Sequence, residues 1–199
     1  MILWFSKSGH ANVGLLPVTA DNPILVGVFD GFSWIRCEGK GSFLNSPAVK
    51  SFGDLRIAAG ETLLVVDLGE CSGMDSTFMG TLAGMAARLS AQDRGILQIA
   101  EPGERNRRSL EDLGLDFLMQ IDPPTAVWRG KADAIRSELK SPQAAGGLGQ
   151  VQRARHVLEA HQNLSGMNEK NAREFAGVVD MLENELSGKE KLAEKGEEG

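Results

Sequence analysis

Asp75-Ser76-Thr77 sets a carboxylate and two hydroxyls side by side after a Gly- and Ser-containing loop. Short oxygen-bearing side chains in such a place accept hydrogen bonds from the free amides of a first helical turn, so Asp75 or Ser76 is the expected N-cap. Thr77 then falls in the first turn. Cys71 lies in the same loop, where a helix dipole lowers a thiol pKa and favours redox chemistry, although a small buried residue is the expected role. Cys37 sits in a strand-like run and reads as core. His10, His156 and His161 form no metal constellation, because the last two are spaced by five rather than by the four of a zinc-binding HExxH helix. Arg105, Arg107 and Arg108 are read as a solvated face. Gly39-Lys40, Gly130-Lys131 and Gly188-Lys189 each lack the upstream glycine and following hydroxyl of a phosphate-binding loop. No nucleophile elbow, triad spacing or paired-carboxylate motif stands out. The residues give no basis for an enzyme, a cofactor or a metal.

The elements that must position these side chains follow from the apolar pattern. Leu63, Leu64, Val65 and Val66 form an unbroken run ending at Asp67, which suits a strand buried on both faces. After Ser76, the apolar residues Phe78, Met79, Leu82, Met85, Ala86 and Leu89 keep the three-and-four spacing of an amphipathic helix. Upstream, residues 24–30 and 32–38 are strand-like runs split by Gly31, as in a hairpin. Ser46 before Pro47 predicts an N-cap, with Val49, Phe52 and Leu55 as the stripe of a helix of about ten residues. Downstream come a strand at 95–100, a helix at 105–115 stopped by Gly114, and a last strand at 117–121. This alternation predicts parallel pairing through right-handed crossovers.

Asp122-Pro123-Pro124 closes that unit. Beyond it the pattern predicts a short helix around 129–140, a Gly/Ala-rich joint at 142–149 and two longer helices. Val151, Ala154, Leu158 and His161 make the stripe of one; Ala172, Phe175, Val179, Leu182 and Leu186 make that of the other, with Asn168 placed to cap it. An antiparallel helical pair is expected, packed on the domain, on itself or on a second chain. The expected organisation is an irregular lead-in at 1–23, an α/β domain at 24–122, a helical extension at 123–187 and a disordered charged tail at 188–199.

Composition bounds the function. The 199 residues suit one domain with an appendage, and 42% hydrophobic content is enough for a core. A net charge of -6 argues against a nucleic-acid surface, which needs clustered positive charge. Two cysteines are too few for a disulfide scaffold and suit a reduced, cytoplasmic setting. The apolar start, Met1 to Phe5, is broken too early for a signal peptide, and no run approaches the roughly 18 apolar residues of a membrane helix.

The stretch VVDLGECSGMDSTFMGTL, a strand ending in Asp followed by Asp-Ser-Thr at a helix start, resembles the STAS domain of bacterial anti-sigma factor antagonists. The resemblance spans residues 24–121 and includes the Leu-Gly-Leu that closes the helix at 105–115. It implies an α/β fold: a mixed sheet of about four to five strands covered by helices, here with a C-terminal α-helical extension. It implies that Ser76 is phosphorylated by a partner anti-sigma factor/serine kinase and restored by a phosphatase, with Thr77 in the second hydroxyl position. It further implies a partner-binding surface around Met74, Asp75, Ser76, Thr77, Phe78 and Met79. Phe78 stands where the family most often has glycine, and Glu38 is the only acidic residue near the place after the second strand where many members carry one. A phosphate on Ser76 would meet free amides and a favourable dipole, so the fold should survive while a close apolar complex would not. The expected function is a bacterial regulatory adaptor that controls transcription through protein binding. The alternatives are a non-phosphorylated scaffold or assembly subunit that uses its helical extension, including as a homo-oligomer, and a small-ligand sensor for a nucleotide or lipid.

Overall fold

The computed structural model describes residues 22–92, 94–142 and 148–197. Apart from Asn22 and Pro23, the lead-in expected at 1–23 lies outside them, as does most of the Gly/Ala-rich joint. The strands are β1 (Ile24–Phe29), β2 (Phe32–Cys37), β3 (Gly39–Gly41), β4 (Leu63–Asp67), β5 (Cys71–Met74), β6 (Ile96–Ala100) and β7 (Gln120–Ile121). The helices are α1 (Ser46–Ala58), α2 (Ser76–Ser90), α3 (Gly103–Asp112), α4 (Ala132–Glu138), α5 (Gln150–Ser165) and α6 (Glu169–Glu197).

The main sheet has the order β1-β2-β4-β6-β7. Strands β1 and β2 form the antiparallel hairpin around Gly31, whose φ of 80° makes the turn easy for glycine. The remaining pairs, β2-β4, β4-β6 and β6-β7, are parallel. β3 and β5 make a separate parallel pair beside the sheet.

Because side chains alternate along a strand, β4 feeds two cores. Leu64 and Val66 join Ile35, Leu97 and Ile99 beneath α1, α2 and α3. Val65 turns to the other face, with Trp34, Ala100, Trp128 and Ile135. Trp128 packs edge-on to Trp34 at 5.5 Å between centroids and donates from Nε1 to Gln98 at 2.8 Å. Residues 123–139 therefore form the second layer of the sheet rather than the start of a separate extension. After α4, Lys140 pairs with Val26 on the β1 edge at 2.7 and 3.0 Å.

Four local expectations change. The α1 N-cap is Asn45, with Ser46 inside the helix, because Asn45 accepts from the Ser42 amide and ties the preceding loop to Lys40 and Asn22. α1 spans 13 residues rather than about ten. The run 117–121 is only partly strand: Leu115–Phe117 is a 3-10 turn, with Leu115 and Met119 four apart and both buried, so that part follows helical spacing. The charged segment after 188 continues α6 to Glu197 instead of forming a disordered tail. Its Lys, Glu, Leu and Ala are strong helix formers, and Lys189 pairs with Glu185 one turn back at 2.5 Å.

α5 and α6 form the antiparallel pair, linked by Arg155–Glu190 at 2.6 Å and Gln162–Glu183 at 3.1 Å. α5 lies on α2. No described helix is long and apolar enough to cross a membrane.

Candidate functional site at the start of helix α2

Asp67 ends β4 fully buried, where the loop toward α2 begins. Its Oδ2 accepts from Arg36 and from Arg136, each at 2.8 Å, and its Oδ1 accepts from the Gly69 amide at 2.9 Å. Burial pushes this carboxyl up, but the hydrogen bonds from Arg136, Gly69 and Arg36 outweigh it and hold the group below the usual aspartate range. Hydrogen bonding to Asp67 in turn pushes Arg136 up. The loop is thereby anchored at one end.

At the other end, Asp75 caps α2. Its Oδ1 accepts from the Phe78 amide at 2.8 Å and its Oδ2 from the Phe43 amide at 2.9 Å, which ties the β3–α1 loop to the same helix start. Capping thus falls to Asp75, and the Ser76 hydroxyl is left for another partner. That partner is His161 of α5, whose Nε2 lies 3.0 Å away. His161 Nδ1 is 2.8 Å from the Val157 carbonyl, which can only accept, so Nδ1 carries the proton and Nε2 accepts from Ser76. A second pair repeats this pattern, with Ser46 of α1 and His156 Nε2 2.8 Å apart and buried. Burial pushes His156 below the usual histidine range.

The expected surface is only partly surface. Met74, Asp75, Ser76 and Met79 are half-buried around the helix start. Thr77 and Phe78 are buried: Phe78 fills the core against Gly41, where a Cβ would stand 2.9 Å from its ring. A partner cannot touch either without unpacking the domain. Glu38 is half exposed, and its carboxylate accepts from Arg36 at 2.8 Å. That commits it to the Asp67 cluster rather than to Ser76. Cys71 and Cys37 are both buried, and the Cys71 thiol donates to the Gly73 carbonyl at 3.4 Å.

Other residues belong to this region although the sequence pattern gave them no role. Phe43 and Leu44, 45% and 64% exposed, form an apolar shoulder held to Asp75 through the Phe43 backbone. Two large apolar residues inside turn chemistry were the available signal. His161 stood on the apolar stripe of its helix, and a polar ring in that position needs a partner. Arg136 left no local trace. Among the described residues, no cluster of three or more His, Cys, Asp or Glu could hold a metal.

A mixed sheet whose central strand ends in a buried Asp, leading to a capped helix start whose serine hydroxyl is not used in capping, defines a small α/β domain with its candidate site at one helix N-terminus. The chain belongs to the STAS domain family, whose model matches residues 24–126. No curated protein matches the chain. Among solved structures, it is similar to an anti-sigma factor antagonist from Mycobacterium paratuberculosis, with 22% identity and a TM-score of 0.47 over 61% of this chain and 96% of that one. It is also similar to the antagonist SpoIIAA in its unphosphorylated form, at 20% identity and TM-score 0.44, covering 56% and 96% of the two chains. The Bacillus cell fate determinant SpoIIAA in its phosphorylated form gives 21% and 0.43, covering 57% and 96%.

Proposed function

We propose that this chain is a non-catalytic regulatory adaptor of the anti-sigma factor antagonist kind, whose protein binding is switched by phosphorylation of Ser76. The observation that carries this reading is the division of labour at α2. Asp75 does the capping, so the Ser76 hydroxyl is not needed to hold the helix and is available to accept a phosphoryl group. In the transfer, Ser76 Oγ bonds to the γ-phosphorus of ATP held by the partner kinase, ADP leaves, and the hydroxyl proton passes to a base. The resulting charge of roughly -1.5 to -2 faces the free amides of the helix start, so the domain stays folded. Beside Phe43, Leu44, Met74 and Met79, the same charge would have to be desolvated in a close complex, and binding would be lost. A phosphatase would restore it.

The test is intact mass and peptide mapping of protein isolated from its own cells, before and after phosphatase treatment. Phosphate on Ser76 is expected, and a chain unmodified under all growth conditions would overturn the reading. Ser76→Asp is expected to weaken capture of the partner while Ser76→Ala keeps it.

A second reading, a scaffold that uses its helical extension, is favoured by the lie of α5 on α2. It requires partner binding that ignores Ser76→Asp and is lost when Leu182, a buried residue of α6, is disrupted. A ligand sensor has less support: the cavity beside Lys50, Arg88, His156 and Glu159 holds about 10 Å³, room for one water, and the larger hollow of about 400 Å³ along α3 is an open surface lined by Glu104, Arg105, Arg108, Ser109 and Asp112 with no apolar wall.

A further inference from the structure

Helix α2 carries no charged residue from Ser76 through Ala87. A helix that lays one side on a sheet ordinarily carries charge on the other. Here the outward positions are small, Ser76, Gly80, Ala83 and Gly84, and all but the half-buried Ser76 are buried. What buries them is α5. At Gly80 the backbones approach so closely that an added Cβ would overlap the Ala160 carbonyl. Asn163 donates to the Gly80 carbonyl at 3.2 Å, His161 takes the Ser76 hydroxyl, and Glu159 reaches Lys50 of α1 at 3.2 Å.

The core beneath takes little from this helix pair. Of the buried residues packed between the sheet and α1, α2 and α3, Leu164 alone comes from the α5–α6 pair, and the second core contains none. The seam also carries Ser–His pairs, an amide–carbonyl bond and ion pairs, groups that water can satisfy when the helices part, beside the apolar contacts of Gly80 with Ala160 and of Phe175 with the edge of the core.

We infer that the α5–α6 hairpin is an intramolecular cover over the Ser76 face, and that a kinase or binding partner engages this face only when α5 lifts. The inference deepens the phosphorylation reading and rests on it for its biological use. The cover itself is a property of the chain alone. A partner and α5 compete for one surface, so anything that holds the hairpin away raises both Ser76 modification and partner affinity.

The closing experiment needs no kinase. Ser76→Cys is made in the full chain, the protein is treated with N-ethylmaleimide, and peptide mapping follows the labelling of the introduced thiol, Cys37 and Cys71 separately. Cys37 is fully buried in the sheet core and reports global unfolding. The introduced thiol is expected to label more slowly than a free thiol but faster than Cys37, because the cover opens without the domain. Adding Gly80→Ala, which wedges the helices apart, is expected to speed labelling of the introduced thiol at least about tenfold and leave Cys37 unchanged. Labelling of that thiol at the free-thiol rate would mean that nothing is covered. Labelling in step with Cys37 would mean that the hairpin is a permanent layer. Either overturns the inference. Amide exchange on the unsubstituted chain guards against damage by the new thiol: α5 amides should exchange before those of β4, and simultaneous exchange counts against a cover. Absence of phosphate on Ser76 in cells would remove the phosphorylation reading and leave this result standing.

Discussion

Asp67 shows how one side chain can hold a site without taking part in it. Its carboxylate joins Arg36 of β2 to Arg136 of α4, and Arg136 also reaches Glu101 at 2.6 Å, so three separate stretches of chain meet at the end of the central strand. Removing the carboxylate would take from both guanidinium groups their one fully buried partner and leave them only the more exposed Glu38 and Glu101. Asp67→Asn is therefore expected to cost about 3–5 kcal/mol, as breaking a buried pair on one side does, read as a lower urea midpoint. The pH dependence has a definite sign. The folded-state pKa is depressed, so the contribution is fully present above the unfolded value near 3.9 and is lost as pH falls below it through the folded value. Between about pH 4 and pH 2, the wild-type chain should lose more stability than Asp67→Asn. Equal acid limbs would remove Asp67 from the account. The sequence marked Asp67 as the end of a strand, but its partnership with Arg136 spans 69 residues and leaves no local pattern to read.

At the scale of elements, what was legible was what periodicity controls. The hairpin around Gly31, the doubly buried β4, α2 with its Asp75 cap, and the α5–α6 pair all announce themselves through apolar spacing and capping residues. The largest misreading has a tertiary cause. Residues 123–139 have little periodicity beyond a short helical stretch and read as the start of the helical extension, yet Trp128 and Ile135 close the second face of the sheet. The clue lay in β4 itself, because a strand apolar on both faces demands a layer on each, and the elements before Pro123 supply only one. This gives a prediction about layers. Trp128→Ala should cost about 3–5 kcal/mol through the cavity it leaves. Trp128→Phe keeps most of the volume but deprives Gln98 of its donor, at about 1–3 kcal/mol. Urea denaturation of both variants checks the order; a near-neutral Trp128→Ala would mean that residues 123–139 are not a structural layer.

At the scale of the whole molecule, the hairpin is fastened at the ends of other helices. His156 and His161 reach the first residues of α1 and α2, and Asn171 donates to the Leu113 carbonyl past the end of α3 at 2.9 Å. The carbonyl contact suits the negative end of a helix, whereas the N-terminus of α1 disfavours a charged ring at His156. His156 faces Ser46 through Nε2, with Glu159 on its own helix, Lys50 and Asp54 from α1 and Asp75 at the head of α2; burial outweighs the carboxylates and keeps its folded-state pKa below the unfolded one. For a base the sign follows directly. Above the unfolded value near 6.5 the neutral ring contributes in full, and as pH falls below it the unfolded chain takes up the proton first, so stability declines until the folded value is passed. Melting temperatures of the full chain should therefore drop between about pH 7.5 and pH 5.5, a range in which ordinary carboxylates stay ionised. His156→Gln, which keeps a group able to bond Ser46 but cannot titrate, should flatten that decline while lowering stability at the upper end. Matching slopes for the two proteins would show that His156 takes up no proton on unfolding and would remove the ring from the pH dependence.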